Sequence, residues 1–102
     1  MRIYEFEHES GIFAGVVIDS DNKVTVTIKN IVSQLGDFFE STVVGDNAGI
    51  QNSRVILMKL IHFLKRVIET EEIYKCGTAE KLTKSIKDDY PLLYGCLQNV
   101  AA

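Results

Sequence analysis

Two histidines, two cysteines and one pair of adjacent carboxylates stand out as side chains suited to acid–base, nucleophilic or metal chemistry. His8 lies between Glu7 and Glu9 and could serve as an acid–base group; at a strand end it reads instead as a solvent-facing turn residue. His62 lacks metal-ligand neighbours. The positions three and four residues away on a helix are Met58, Lys59, Lys65 and Arg66, and a metal site needs cysteine, histidine or carboxylate there. Cys76 and Cys96 have no helical histidine neighbour and do not form a disulfide framework, so both read as free thiols of a reducing compartment. Asp88 and Asp89 are adjacent, and neighbouring helical residues diverge, which makes them caps rather than a catalytic pair. The run from Asp19 to Lys23 opens like a calcium loop. It then places Lys23 fifth, Val24 sixth where glycine is needed, and Asn30 twelfth where glutamate is needed, and so reads as a hairpin turn. A phosphate-binding glycine loop, a nucleophile elbow and a paired Cys-x-x-Cys are all missing. The expectation is a non-enzymatic protein with no metal and no cofactor.

Charge is more informative. Residues 1–53 hold three bases and eight acids, residues 54–102 eight bases and six acids, and the whole 102-residue chain carries a net −3. An acidic half joined to a basic helix suits a charged partner. The length predicts one domain, with hydrophobic content (46%) high enough for a core without staples. The start has no uninterrupted apolar stretch, which argues against a secretory leader. The apolar window 55–68 is broken by Lys59, His62, Lys65 and Arg66, so no membrane span is expected. A cytoplasmic location follows as the expectation.

The elements that must position these residues come from periodicity. Residues 2–7 alternate, with Tyr4 and Phe6 on one face and Ile3, Glu5 and Glu7 on the other. Residues 12–18 are apolar on both faces, as in a central strand, and Val24, Val26 and Ile28 alternate with Thr25 and Thr27. Turn residues at Glu9-Ser10-Gly11 and Asp19–Asn22 join them into a three-stranded antiparallel meander. Helical spacing of Ile31, Val32, Leu35, Phe38 and Phe39 predicts a short helix over 30–41. Residues 42–49 then read as a loop, with 41–44 as an alternative fourth edge strand.

A long helix is predicted over 52–73, capped by Asn52 or Ser53 and stopped before Gly77. Its apolar face comprises Ile56, Leu57, Leu60, Ile61, Phe63, Leu64, Val67 and Ile68. A polar helix from Thr78 to about Asp88 leans on Leu82 and Ile86. A last helix opens at Pro91, with Asp88 or Asp89 as its cap, and buries Leu92, Leu93, Cys96, Leu97 and Val100. The fold class is α+β: a meander packed against three or four helices.

Two surfaces follow. Glu5, Glu7 and Glu9 share a strand face, Asp19 and Asp21 lie in the adjoining turn region, and Asp46 and Asn47 form a loop rim. This acidic face suits a basic partner such as a toxin or nuclease. The alternative surface is the outward side of the long helix, where Val55, Met58, Lys59, His62 and Arg66 could receive a second copy of the chain. Nucleic acid is disfavoured by the net negative charge and by the lack of aromatics interleaved with bases.

The first 44 residues, with Met1-Arg2-Ile3-Tyr4-Glu5-Phe6, Gly15–Asp19 and Val24 before an amphipathic helix, resemble the N-terminal β-meander of the fumarylacetoacetate hydrolase family. The metal-binding carboxylates of that family belong to its catalytic domain, so the resemblance implies no site here. In size, acidity and lack of motif the chain is also similar to toxin-neutralising immunity proteins and antitoxins. The leading expectation is therefore an immunity protein or inhibitor. A homodimeric structural or regulatory module and a small enzyme or enzyme accessory domain are the alternatives.

Overall fold

Alternating side chains and two tight turns settle the sheet. In the computed structural model, which describes residues 1–32, 48–74 and 76–99 (backbone alone at 48–53 and 99), β1 runs Arg2–Glu7, β2 Phe13–Ile18 and β3 Val24–Lys29. The strands form one antiparallel sheet in the order β1-β2-β3, with Glu7 opposite Phe13 and Phe13 opposite Lys29. Left-handed residues close both hairpins. Gly11 (φ +99°) sits in the first turn, where its amide donates to the His8 carbonyl. Asn22 (φ 61°) ends the second, a position asparagine tolerates because its short side chain bonds locally. Asp19 builds that second turn, its Oδ1 accepting from the amides of Asp21 and Lys23 at 2.9 Å each.

Helix α1 spans Ala48–Tyr74, α2 Thr78–Asp89 and α3 Pro91–Asn99. The fold is α+β as expected. The stripe Leu57, Leu60, Ile61, Leu64 and Val67 is buried against Ala14, Val16, Ile18 and Ile28 of the sheet's inner face, with Leu82, Ile86, Leu93 and Leu97 closing the core. Gly77 adopts the left-handed conformation (φ +85°) between α1 and α2, where a side chain would be strained.

Four expectations are corrected. Helix α1 begins at Ala48, so Asn52 and Ser53 lie inside it; Ala48 and Gln51 are good helix formers, and one glycine at position 49 does not stop a helix. Asp88 and Asp89 belong to the last turn of α2 and do not cap α3; Tyr90 takes that place, its carbonyl accepting from the Tyr94 amide at 2.9 Å. Leu92 is 60% exposed, because the one-turn pair Leu93 and Leu97 defines the buried stripe and Leu92 falls beside it. On α1, Met58, expected on the outward side with Val55, packs against the core, while Val55 stays 52% exposed. Of the predicted helix 30–41, Asn30 is left-handed (φ 62°) and lies ahead of any helix, Ile31 is buried and Val32 exposed; residues 33–44 and Val100 lie outside the described residues.

Candidate interaction surface

The sheet's outer face is built in three cross-strand rows. Glu7, Phe13 and Lys29 form one, Glu5, Gly15 and Thr27 the next, and Ile3, Val17 and Thr25 the third. Glu5 and Glu7 are both exposed, as the period of two requires. The Phe13 ring leans over Gly15, where a Cβ would stand 3.2 Å from its Cε1, and Lys29 Nζ lies over the ring, 5.7 Å from its centroid. A half-exposed aromatic therefore lies beside two carboxylates on the sheet's outer face.

Behind this face β1 is anchored by a cluster that polarity patterns conceal. Glu71 is fully buried near the end of α1, and the Arg2 guanidinium grips it: Nε donates to Oε1 and Oε2 at 3.0 and 2.9 Å, Nη2 to Oε1 at 2.8 Å. Tyr4 Oη donates to Oε2 at 2.6 Å. Glu71 pushes the Arg2 guanidinium above its usual range, chiefly through the hydrogen bond. Burial first, and then the bond to Glu71, push the Tyr4 phenol up to about 12. A sequence signal existed: Glu71 is one turn beyond Val67 on the buried stripe, and Arg2 is on the Tyr4–Phe6 face of β1. The side chains of this cluster satisfy one another and aim at the core, which suits fastening better than chemistry.

The other predicted residues scatter. Glu9 is exposed in the first turn. Asp19 and Asp21 lie at the opposite end of the sheet from Glu7, roughly 17 Å along the strands. Asp19 is spent on its turn. Asp21 lines a shallow groove of about 460 Å³ with Lys23, Lys81, Lys84 and Asp88, so its charge faces bases. Asp46 and Asn47 lie outside the described residues. Lys59, His62 and Arg66 are exposed on the outward side of α1 beside Val55.

The groups suited to chemistry are not brought together. His8 Nδ1 accepts from the Ser10 amide at 3.0 Å, which assigns its hydrogen to Nε2, and its ring stacks on Phe6 at 6.5 Å. Cys76 is exposed, Cys96 is half-buried with its thiol pushed up by burial, and both are free. Among the described residues no cluster of three or more His, Cys, Asp or Glu side chains could hold a metal, and no helix is long and apolar enough to cross a membrane. An open groove of about 580 Å³ between α1 and α2 is lined by Ile68, Ala79 and Thr83 with charges of both signs, a mixture that selects no ligand class. No protein-family model matches this chain, no curated protein matches it and no solved structure matches its fold, and the resemblance of its first 44 residues to a known meander rests on strand pattern alone.

Proposed function

We propose that this protein is a non-enzymatic protein-binding module of the cytoplasm, in its most concrete form an immunity protein or inhibitor that neutralises a cationic toxin or nuclease. The observation supporting this reading is the state of Glu5 and Glu7. Both stand exposed on one face of a strand clamped from behind, and neither makes a hydrogen bond or ion pair with any described residue. Two like charges on a rigid surface create a local negative potential without the entropy cost of ordering a loop, which speeds encounter with a basic partner. Affinity capture from the native cells at low salt tests the proposal. One basic protein should be recovered in stoichiometric amount, released as salt rises, and largely lost with the Glu5→Lys/Glu7→Lys variant. Recovery unchanged by that variant would overturn the acidic-face reading.

A second reading draws on Val55, an apolar side chain half-exposed beside Lys59 and His62. It makes the outward side of α1 a self-association surface. Sedimentation would then give a dimer that Val55→Glu converts to a folded monomer.

A further inference from the structure

The two edges of the sheet are treated differently. In the β2–β3 hairpin the Asp19 amide donates to the Lys23 carbonyl, so by alternation the backbone groups of Val24, Val26 and Ile28 point away from β2. That edge is occupied: α2 packs along β3, and the Ile28 amide donates to Tyr90 Oη at 3.0 Å. In the β1–β2 hairpin the His8 amide donates to the Ile12 carbonyl, so Arg2, Tyr4 and Phe6 face β2 while the amides and carbonyls of Ile3, Glu5 and Glu7 point outward. No described residue pairs with them, and Ile3 is 57% exposed. β1 has no proline, and its register with β2 runs unbroken without a bulge. What guards it is charge, the exposed Glu5 and Glu7 and the inward Arg2, and the acidic pair repels acidic or like strands while leaving the edge open to a basic one.

We infer that the edge of β1, which no described residue pairs, receives an extended basic segment of a partner protein, which adds to the sheet as a fourth strand. This rests on the protein-binding reading and specifies how the partner is held. Backbone bonds at Ile3, Glu5 and Glu7 supply sequence-independent affinity, and lysine or arginine opposite Glu5 and Glu7 supplies selection. The bidentate hold of Glu71 on Arg2, with Tyr4 beside it, keeps the edge in place before the partner arrives. A second copy of the chain fits less well. Pairing two β1 edges would bring the Glu5 and Glu7 carboxylates of both copies to one seam, and like charges across strands destabilise pairing.

The probe is a short peptide alternating lysine with valine, titrated against the full chain while backbone amide exchange is followed by NMR. Binding should slow exchange at Ile3, Glu5 and Glu7 and leave Arg2, Tyr4 and Phe6 as they were. Ile3→Pro removes an outward amide and leaves both carboxylates; an edge strand tolerates proline with its nitrogen turned outward. It should weaken binding about three- to tenfold, the effect of one hydrogen bond. Glu5→Gln/Glu7→Gln should slow association several-fold and flatten its salt dependence. No binding, or binding without slowed exchange at those three amides, overturns the inference. Weakening by the glutamine pair alone overturns strand addition and leaves the acidic-face reading standing. Weakening by Ile3→Pro alone overturns the basic occupant together with the acidic-face reading. A dimer of the chain alone with those amides already slow assigns the edge to a second copy, which also overturns the proposal.

Discussion

The guanidinium of Arg2 holds the buried carboxylate of Glu71 through three contacts of 2.8 to 3.0 Å, fastening the first strand to a helix residue 69 positions later. The carboxylate is fully buried while Arg2 keeps 28% of its side chain in solvent, so the two partners differ in what their loss exposes. Removing Arg2 leaves a buried carboxylate without its guanidinium, whereas removing Glu71 leaves a cation that can reach water. Arg2→Ala should therefore destabilise the fold more than Glu71→Ala, with Arg2→Met/Glu71→Leu recovering part of the loss. Urea unfolding of the wild type and the three variants checks the ordering. Equal losses from both single variants would contradict it.

Tyr4 makes the same cluster sensitive to alkali. Its phenol titrates near 12 in the folded protein against an ordinary value of 10.0, so the folded state holds this proton more tightly. The stability it confers is complete below pH 10 and declines as pH rises from 10 to 12, since the unfolded chain releases the proton first. The decline should be on the order of 1–2 kcal/mol, allowing for the solvent that reaches the ring. Tyr4→Phe should be less stable at neutral pH and lose less between pH 10 and 12. Denaturation midpoints across that range, with tyrosinate absorbance on the folded protein, provide the measurement.

Periodicity exposes those features whose cause is local. The Tyr4–Phe6 and Glu5–Glu7 faces, the two hairpin turns and the stripe from Leu57 to Val67 each follow from neighbours two to four residues apart, and all are present. Polarity misleads where the cause is distant. Glu71 reads as an outward charge until Arg2 is known to lie against it, and Asp88 and Asp89 read as caps until α2 is seen to continue through them. In the candidate site, the exposure of Glu5 and Glu7 was legible in the same way. That the described residues leave the β1 edge unpaired was not, because it depends on α2 and Tyr90 covering β3 instead.

Tyr90 offers a test of that covering. Its hydroxyl accepts from the Ile28 amide at 3.0 Å across 62 residues. Tyr90→Phe leaves this amide, on a residue only 7% exposed, without its acceptor, and should cost about 1–3 kcal/mol. Hydrogen exchange should accelerate at Ile28 by more than the global loss of stability accounts for. An unchanged ratio of Ile28 exchange to that of other β3 amides would show that packing of α2, and not the hydroxyl, closes this edge.

The acidic residues divide into two groups whose electrostatic surroundings differ, and charge reversal separates them. Glu5 and Glu7 lie beside Phe13 on the open face, while Asp21 shares its groove with Lys23, Lys81 and Lys84. Reversing Glu5 removes unpaired negative charge; reversing Asp21 adds a base to a site already basic, far from the β1 edge. With a captured basic partner, or the lysine–valine peptide in its place, Glu5→Lys should slow association about tenfold at low salt and Asp21→Lys by less than about twofold. Both differences should shrink as salt rises toward the physiological range, because exposed charges are screened over about 8–10 Å. Stopped-flow association rates across a salt series decide the matter. An equal effect from Asp21→Lys would mean that the partner senses the net charge of the whole chain and not the geometry of its first strand.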